Sequence, residues 1–274
     1  MGNSEKDYYD KIVPLLKEAG KIMLSASDPG GESHTHAKTG TANYVTDYDV
    51  AVQTFLIGKL REEFPDALFL AEEREYNDLS RSERLVFVID PIDGTTNFMH
   101  GCGISCISVA AVTAGKTVFG AVYDPYRDEL FHAFRGNGAY LNGGRIRVSD
   151  RPFESALVVF GTSPYYKDTL CRATFDTAEA LFLSCADIRR TGSAALDLAC
   201  LAAGRYDVFF ECILQPWDIA AGILLVEEAG GIVSATGGKK ASPLSPSPVI
   251  AGTPRTYSYL AEIAGRYFPV SFST

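Results

Sequence analysis

The chain has 274 residues, 46% of them hydrophobic and 22% charged, an ordinary globular composition that suits one large domain or two modest ones. Its formal net charge of −9 speaks against nucleic acid as the main partner, while leaving room for an anionic substrate where metal cations mediate the contact. No apolar stretch reaches the ~20 residues that span a bilayer, and the opening "MGNSEKDYYDKIV" has neither a signal-peptide layout nor a good myristoylation signal, since Ser4 comes too early; a cytoplasmic protein without a membrane partner is expected.

In chain order, apolar residues at Ile12, Leu15, Leu16, Ala19, Ile22 and Met23 predict a helix over about 5–25, with Pro14 as its start or a kink. Residues 26–43 read as a polar, glycine-rich loop in which His34 and His36 are solvated. A second helix is expected over Thr46–Phe64, with Thr46 or Asp47 as N-cap. "ALFLAEE" and "RLVFVID" predict short strands that each end in acid, and 105–124 and 129–141 predict further strands joined by turns. "RGNGAYLNGG" predicts a tight hairpin. The first half, 1–150, thus reads as helices on an antiparallel sheet.

The second half, 151–274, alternates. Strands are expected at "ALVVFG", "DIRR", "YDVFFE", "GIVSA" and "PVIAG". Helices are expected over Tyr165–Leu183, Ser193–Gly204, Asp218–Ala229 and about Pro254–Tyr267. This is an α/β half, and the two halves form one compact catalytic unit. The six cysteines, Cys102, Cys106, Cys171, Cys185, Cys200 and Cys212, show no zinc or CxxC spacing and predict small buried thiols.

Three groups of acids stand at the ends of apolar elements. Glu72 and Glu73 follow "ALFL". Asp90 and Asp93 flank Pro91 in "VIDPIDGTTNF". Asp218 follows Trp217 and precedes "IAAGILLVEEAGG". Each alone has an ordinary explanation: a solvated charge run, a turn, a helix cap. Together they are a carboxylate cluster where loops converge, which a hard divalent cation requires. Two carboxylates 4 Å apart repel by roughly 4 kcal/mol at an effective dielectric near 20, and bound cations remove that repulsion. Gly94 lets the backbone approach an anion, and Thr95 and Thr96 add hydroxyls. The chemistry that suits such a cluster is hydrolysis of a phosphate monoester at a two-metal site. No nucleophile elbow or P-loop competes.

With these motifs in place, "DPIDGTTNF" and "WDIAAGILLVEEAGG" resemble the paired signatures of the inositol monophosphatase family, within the lithium-sensitive, magnesium-dependent phosphatases. "AEE" is similar to its Gly-Glu-Glu element, with Ala71 in place of glycine, and "KTGTANYVTDYD" to its Lys…Val-Thr-x-x-Asp segment, with Asn43 where relatives often carry Asp. Gln215-Pro216, before Trp217, falls at a position that varies in the family. The resemblance covers nearly the whole chain. It implies an α+β fold, a layered α-β-α-β-α sandwich, usually homodimeric.

The resemblance also assigns roles. Glu72, Asp90 and the Ile92 carbonyl would hold one Mg²⁺; Asp90, Asp93 and Asp218 a second; a third would sit near Glu72 through water. Mn²⁺ would substitute, and Ca²⁺ and Li⁺ would inhibit. Thr95 and Asp47 would orient the attacking water. The amides of Gly94 and Thr95, beside Asp93, would hold phosphate. Gly192, Ser193 and Ala194 of "RTGSAA" would approach the alcohol, and Glu211 would accept its hydroxyls. The implied substrate is inositol monophosphate. Fructose 1,6-bisphosphate, histidinol phosphate, NADP and 3′-phosphoadenosine phosphate stay open on the same fold. A rival of another class, a non-catalytic metal- and phosphate-binding regulator, is opposed by the completeness of the site.

Overall fold

The computed structural model describes residues 5–31, 34–37, 44–73 and 83–268; Ser4, Lys38 and Asn43 lie outside them. Helix α1 (Glu5–Leu24) continues through Pro14, so that proline is not its start, and buries Ile12, Leu16, Ala19 and Met23. Strands β1 (Thr35–Ala37) and β2 (Tyr44–Thr46) pair antiparallel, where only loop was expected. Helix α2 (Asp47–Glu63) begins on Thr46, the N-cap of a capping box closed by Asp49.

Then follow β3 (Leu68–Ala71), β4 (Val86–Asp93), the short α3 (Thr95–Met99), β5 (Cys106–Thr113), β6 (Lys116–Asp124), β7 (Glu129–Phe134), β8 (Gly138–Leu141) and β9 (Gly144–Ile146). The second half adds β10 (Leu157–Phe160), α4 (Lys167–Phe182), β11 (Asp187–Arg189), α5 (Ala194–Ala202), β12 (Val208–Leu214), α6 (Pro216–Glu228), β13 (Ile232–Ser234), β14 (Ser247–Gly252) and α7 (Tyr257–Tyr267).

Strands β3 to β9 form a seven-stranded sheet in chain order. It is antiparallel except at one edge, where β3 and β4 run parallel; the long connection over 72–85 allows the parallel return that a tight hairpin cannot. A five-stranded mixed sheet has the order β11-β10-β12-β14-β13.

Alternation along the strands sorts side chains into three cores. On β4, Phe87 and Ile89 pack with α1 and α2, while Val86 and Val88 face α5 and α6. On β12, Phe209 joins α5 and α6, while Val208 and Phe210 face α4 and α7. The layers are therefore α-β-α-β-α, and the α5/α6 layer is shared by both sheets. Gly120 on β6 permits the close approach of α6: a Cβ there would stand 2.9 Å from the Ala221 Cα. The cysteines divide. Cys106, Cys200 and Cys212 are buried as expected and Cys185 is half-buried, but Cys102 and Cys171 are exposed, the latter because it lies on the outer face of α4.

Candidate active site

The ends of β3, β4, β12, α5 and α6 converge on one cleft of about 700 Å³. Asp90 and Asp93 reach it together because β4 bulges. Asp90 pairs with Ser108 and Asp93 with Cys106, so β4 advances three residues while β5 advances two. In a regular strand, residues three apart face opposite sides. The extra residue re-aims Asp93 to the side of Asp90.

Both are buried, Asp90 1% and Asp93 6% exposed. Ligand oxygens of Asp90, Asp93 and Asp218 lie within 4.8 Å of one another, and Glu72 lines the same cleft. Each carboxylate is aimed by a backbone amide. Ile92 N–H donates to Asp90 (3.1 Å), Ala195 N–H to Asp93 (2.8 Å) and Gln215 N–H to Asp218 (2.7 Å). Asp93 also accepts from the Ser193 hydroxyl, the N-cap of α5. Helix α6 begins on Pro216, two residues earlier than expected. Asp218 is therefore its third residue and closes a capping box on Gln215, rather than serving as the N-cap.

Burial raises the Asp90 carboxyl well above the ordinary range, and Glu72, Asp93 and Asp218 push it further. Asp218 is raised well above that range by burial and then by Asp93 and Glu72. Asp93 is raised by burial against the hydrogen bonds from α5. No Lys or Arg stands among the leading causes of these shifts. A crowded set of hard oxygen donors fits Mg²⁺.

Gly94 ends β4 at φ +90°, a left-handed conformation that glycine adopts freely; a Cβ there would stand 3.1 Å from the carbonyls of Gly192 and Ile104. Thr95 follows, its hydroxyl 3.3 Å from Asp49 Oδ1 and 3.2 Å from the Ile92 carbonyl. Asp47 is not in this site. It is exposed, and its two oxygens face His34 Nδ1 (3.2 Å) and His36 Nε2 (3.0 Å). Two residues along a helix turn about 200°, so Asp47 faces out and Asp49, fully buried, faces Thr95. The sequence held the signal: Val-Thr-x-x-Asp, counted from Val45, ends at Asp49.

The other end of the cleft carries Gly192, Ser193, Ala194 and Glu211, as expected, together with Gly161, Ser163, Arg190 and Asp197. Glu211 is 6% exposed and accepts the Ser163 N–H at 2.7 Å. Burial pushes its carboxyl up to about 7. Gly161 is required beside it, since a Cβ there would fall within 1.8 Å of Glu211 Oε2. Ser163 adopts φ +42°, a cost for a non-glycine residue that aims its amide at Glu211. Asn97 Nδ2 donates to the carbonyls of Ile104 (2.8 Å) and Thr191 (2.9 Å), fastening the 190–193 loop to α3. Ser163 and Asp197 were missed in sequence because each reaches the cleft through tertiary packing, with no local spacing to announce it; Arg190 opens the "RTGSAA" segment, which marks its place although no role was assigned to it.

With this geometry in place, comparisons with known proteins agree. The inositol monophosphatase family profile matches residues 5–267. Nus factor SuhB of Escherichia coli K12 is 43% identical over 246 residues, covering 89% of this chain and 90% of that protein. The extragenic suppressor protein suhB of Bartonella henselae superposes with a TM-score of 0.83 at 35% identity, covering 93% of this chain and 97% of that one. The IMPase of Thermotoga maritima gives 0.84 at 33%, covering 95% and 98%. The chain belongs to the inositol monophosphatase family.

Proposed function

We propose that this protein is a Mg²⁺-dependent phosphate monoester hydrolase whose preferred substrate is inositol monophosphate. The observation that carries the reading is the convergence of Glu72, Asp90, Asp93 and Asp218 beside Thr95, with Glu211 across the same cleft. Glu72, Asp90, Asp93, Asp218 and the Ile92 carbonyl would hold the metal ions. When bound, Mg²⁺ would supply charge neutralisation and activation of water for in-line displacement. The amides of Gly94 and Thr95 would receive the phosphate. Thr95, held by Asp49, would orient the attacking water, the role first expected of Asp47. Gly192, Ser193 and Ala194 would border the alcohol, and Glu211 would accept its hydroxyls.

Among the described residues no helix is long and apolar enough to cross a membrane. Cytoplasmic placement, a homodimer, replacement of Mg²⁺ by Mn²⁺, and inhibition by Ca²⁺ and Li⁺ belong to the same proposal. The test is phosphate release from inositol 1-phosphate, fructose 1,6-bisphosphate, histidinol phosphate, NADP and 3′-phosphoadenosine phosphate, with Mg²⁺ and with chelator. Metal-dependent release that is fastest from the inositol ester supports the reading; no release from any of them overturns it.

A second reading has one support, the name Nus factor that the Escherichia coli relative carries. On that reading the chain also works by binding a partner, and Asp93→Asn would abolish turnover while sparing the partner role. The net charge of −9 still opposes direct nucleic-acid binding as the main activity.

A further inference from the structure

Asp197 has no part in the mechanism above, yet it lines the same cleft. It is the one polar residue of α5, "AALDLACLA", and is 2% exposed. Both of its oxygens lie 2.6 Å from a single donor, the Thr191 hydroxyl. A hydroxyl carries one proton, so at most one oxygen is satisfied at a time. Among the described residues no second donor reaches this carboxylate. A buried acceptor left short of donors destabilises the fold, more so when charged. An apolar residue would suit this helix better unless something in the cleft completes the hydrogen bonding.

The surroundings indicate what that is. Burial raises the Asp197 carboxyl well above the ordinary carboxylate range and Asp93 and Glu211 push it further, while the Thr191 hydrogen bond and Arg190 oppose the rise. Arg190 bears on Glu211 in the same way, but its own hydrogen bond goes to Thr162 Oγ1 at 3.1 Å. This end of the cleft therefore holds two buried acids against one exposed arginine. Its surplus is in carboxyl oxygens over donors, which a hydroxyl-bearing group satisfies.

We propose that Asp197 is a specificity-determining residue: its carboxyl oxygen left unmatched by Thr191 accepts a hydrogen bond from a hydroxyl of the leaving alcohol, beside Glu211. The proposal rests on the phosphatase reading. Its test is a ratio of substrates on one enzyme preparation, which does not depend on the fraction correctly folded. The kcat/KM for inositol 1-phosphate is divided by that for 4-nitrophenyl phosphate, whose leaving group offers no hydroxyl donors.

Asp197→Asn keeps the shape and an acceptor for Thr191. It should lower this ratio about tenfold, because the oxygen facing the cleft becomes an amide nitrogen that cannot accept from the substrate hydroxyl. Thr191→Val, which removes only the internal donor, should leave the ratio within about twofold, as expected for a contact that substrate does not make. A ratio unchanged in Asp197→Asn, or equally lowered in Thr191→Val, overturns the proposal in favour of a loop anchor. Wild-type protein that hydrolyses neither ester removes the phosphatase reading itself, a distinguishable failure. If Asp197→Asn does not accumulate, the same ratio is read on Asp197→Ser.

Discussion

The two ends of the cleft are built on opposite principles. At one, Asp90, Asp93 and Asp218 crowd within 4.8 Å, all three raised by burial and Asp90 and Asp218 also by their acidic neighbours. At the other, Glu211 and Asp197 lie near Arg190 and are partly offset by it. The first end gathers acids alone, and the second sets its acids beside an arginine. The ends meet at Asp93, which takes the Ala195 amide and the Ser193 hydroxyl from the start of α5, so the substrate loop and the metal candidates share one anchor.

The largest effect should come from neutralising that anchor. Asp93→Asn keeps the shape and removes one charge from the cluster. We expect kcat to fall at least ~100-fold at saturating Mg²⁺, with the circular dichroism spectrum unchanged. A variant that keeps most of its turnover would dissolve the contrast between the two ends.

Next comes the pair beside the cluster. Thr95→Val should lower kcat by roughly 10–100-fold with little change in KM, the signature of a transition-state contact. Asp49→Asn should do the same, and the double variant should fall short of the product of the two, since both act through one hydrogen bond. Asp47→Asn, on the exposed face, should change kcat by less than about twofold. Steady-state kinetics on the four proteins decides between Asp49 and Asp47.

A smaller effect belongs to the other end. Burial holds the Glu211 carboxyl at about 7, against 4.5 for an ordinary glutamate. The folded state therefore binds this proton more tightly than the unfolded chain. Its stabilisation is complete below about pH 4.5 and is lost as pH rises through about 7. At one pKa unit per about 1.4 kcal/mol, the loss is up to about 3 kcal/mol. Glu211→Gln has no such proton. Denaturant melts of metal-free protein between pH 5 and 8 should show wild type losing stability relative to Glu211→Gln, and parallel profiles would contradict the burial argument.

The legible parts of this molecule are those encoded locally. The Asp-Pro-Ile-Asp-Gly turn and the Trp217-Asp218 pair each fit in a few residues, and nearby amides aim their acids, Ile92 to Asp90 and Gln215 to Asp218, although α6 starts two residues before the expected position. Strand alternation and helical spacing likewise marked most elements in order, though not β1 and β2, while the layers were implied by the family resemblance. The β4 bulge was not legible, because a bulge is a relation between two strands. Asp49 was within reach, since helical geometry separates it from Asp47 by about 200°, but the role was placed one face too far round. Ser163 and Asp197 come to the cleft over a long separation or from inside an apolar helix, where no short pattern marks them, while Arg190 stands at the head of "RTGSAA" without an assigned role.

The central claim is that the acids of "VIDPIDGTTNF" form a metal site rather than a turn and a cap. Thermal melts with and without Mg²⁺, on wild type and Asp90→Asn, test it without any assay of activity. The cluster exists only in the folded chain, so Mg²⁺ at ~100 Kd should stabilise wild type by about 2.7 kcal/mol. That is a rise of roughly 5–10 °C for a chain of this size. Asp90→Asn should melt at or above wild type without metal, because a buried, repelled carboxylate has been removed, and should gain little from Mg²⁺. Equal shifts in the two proteins would contradict the claim.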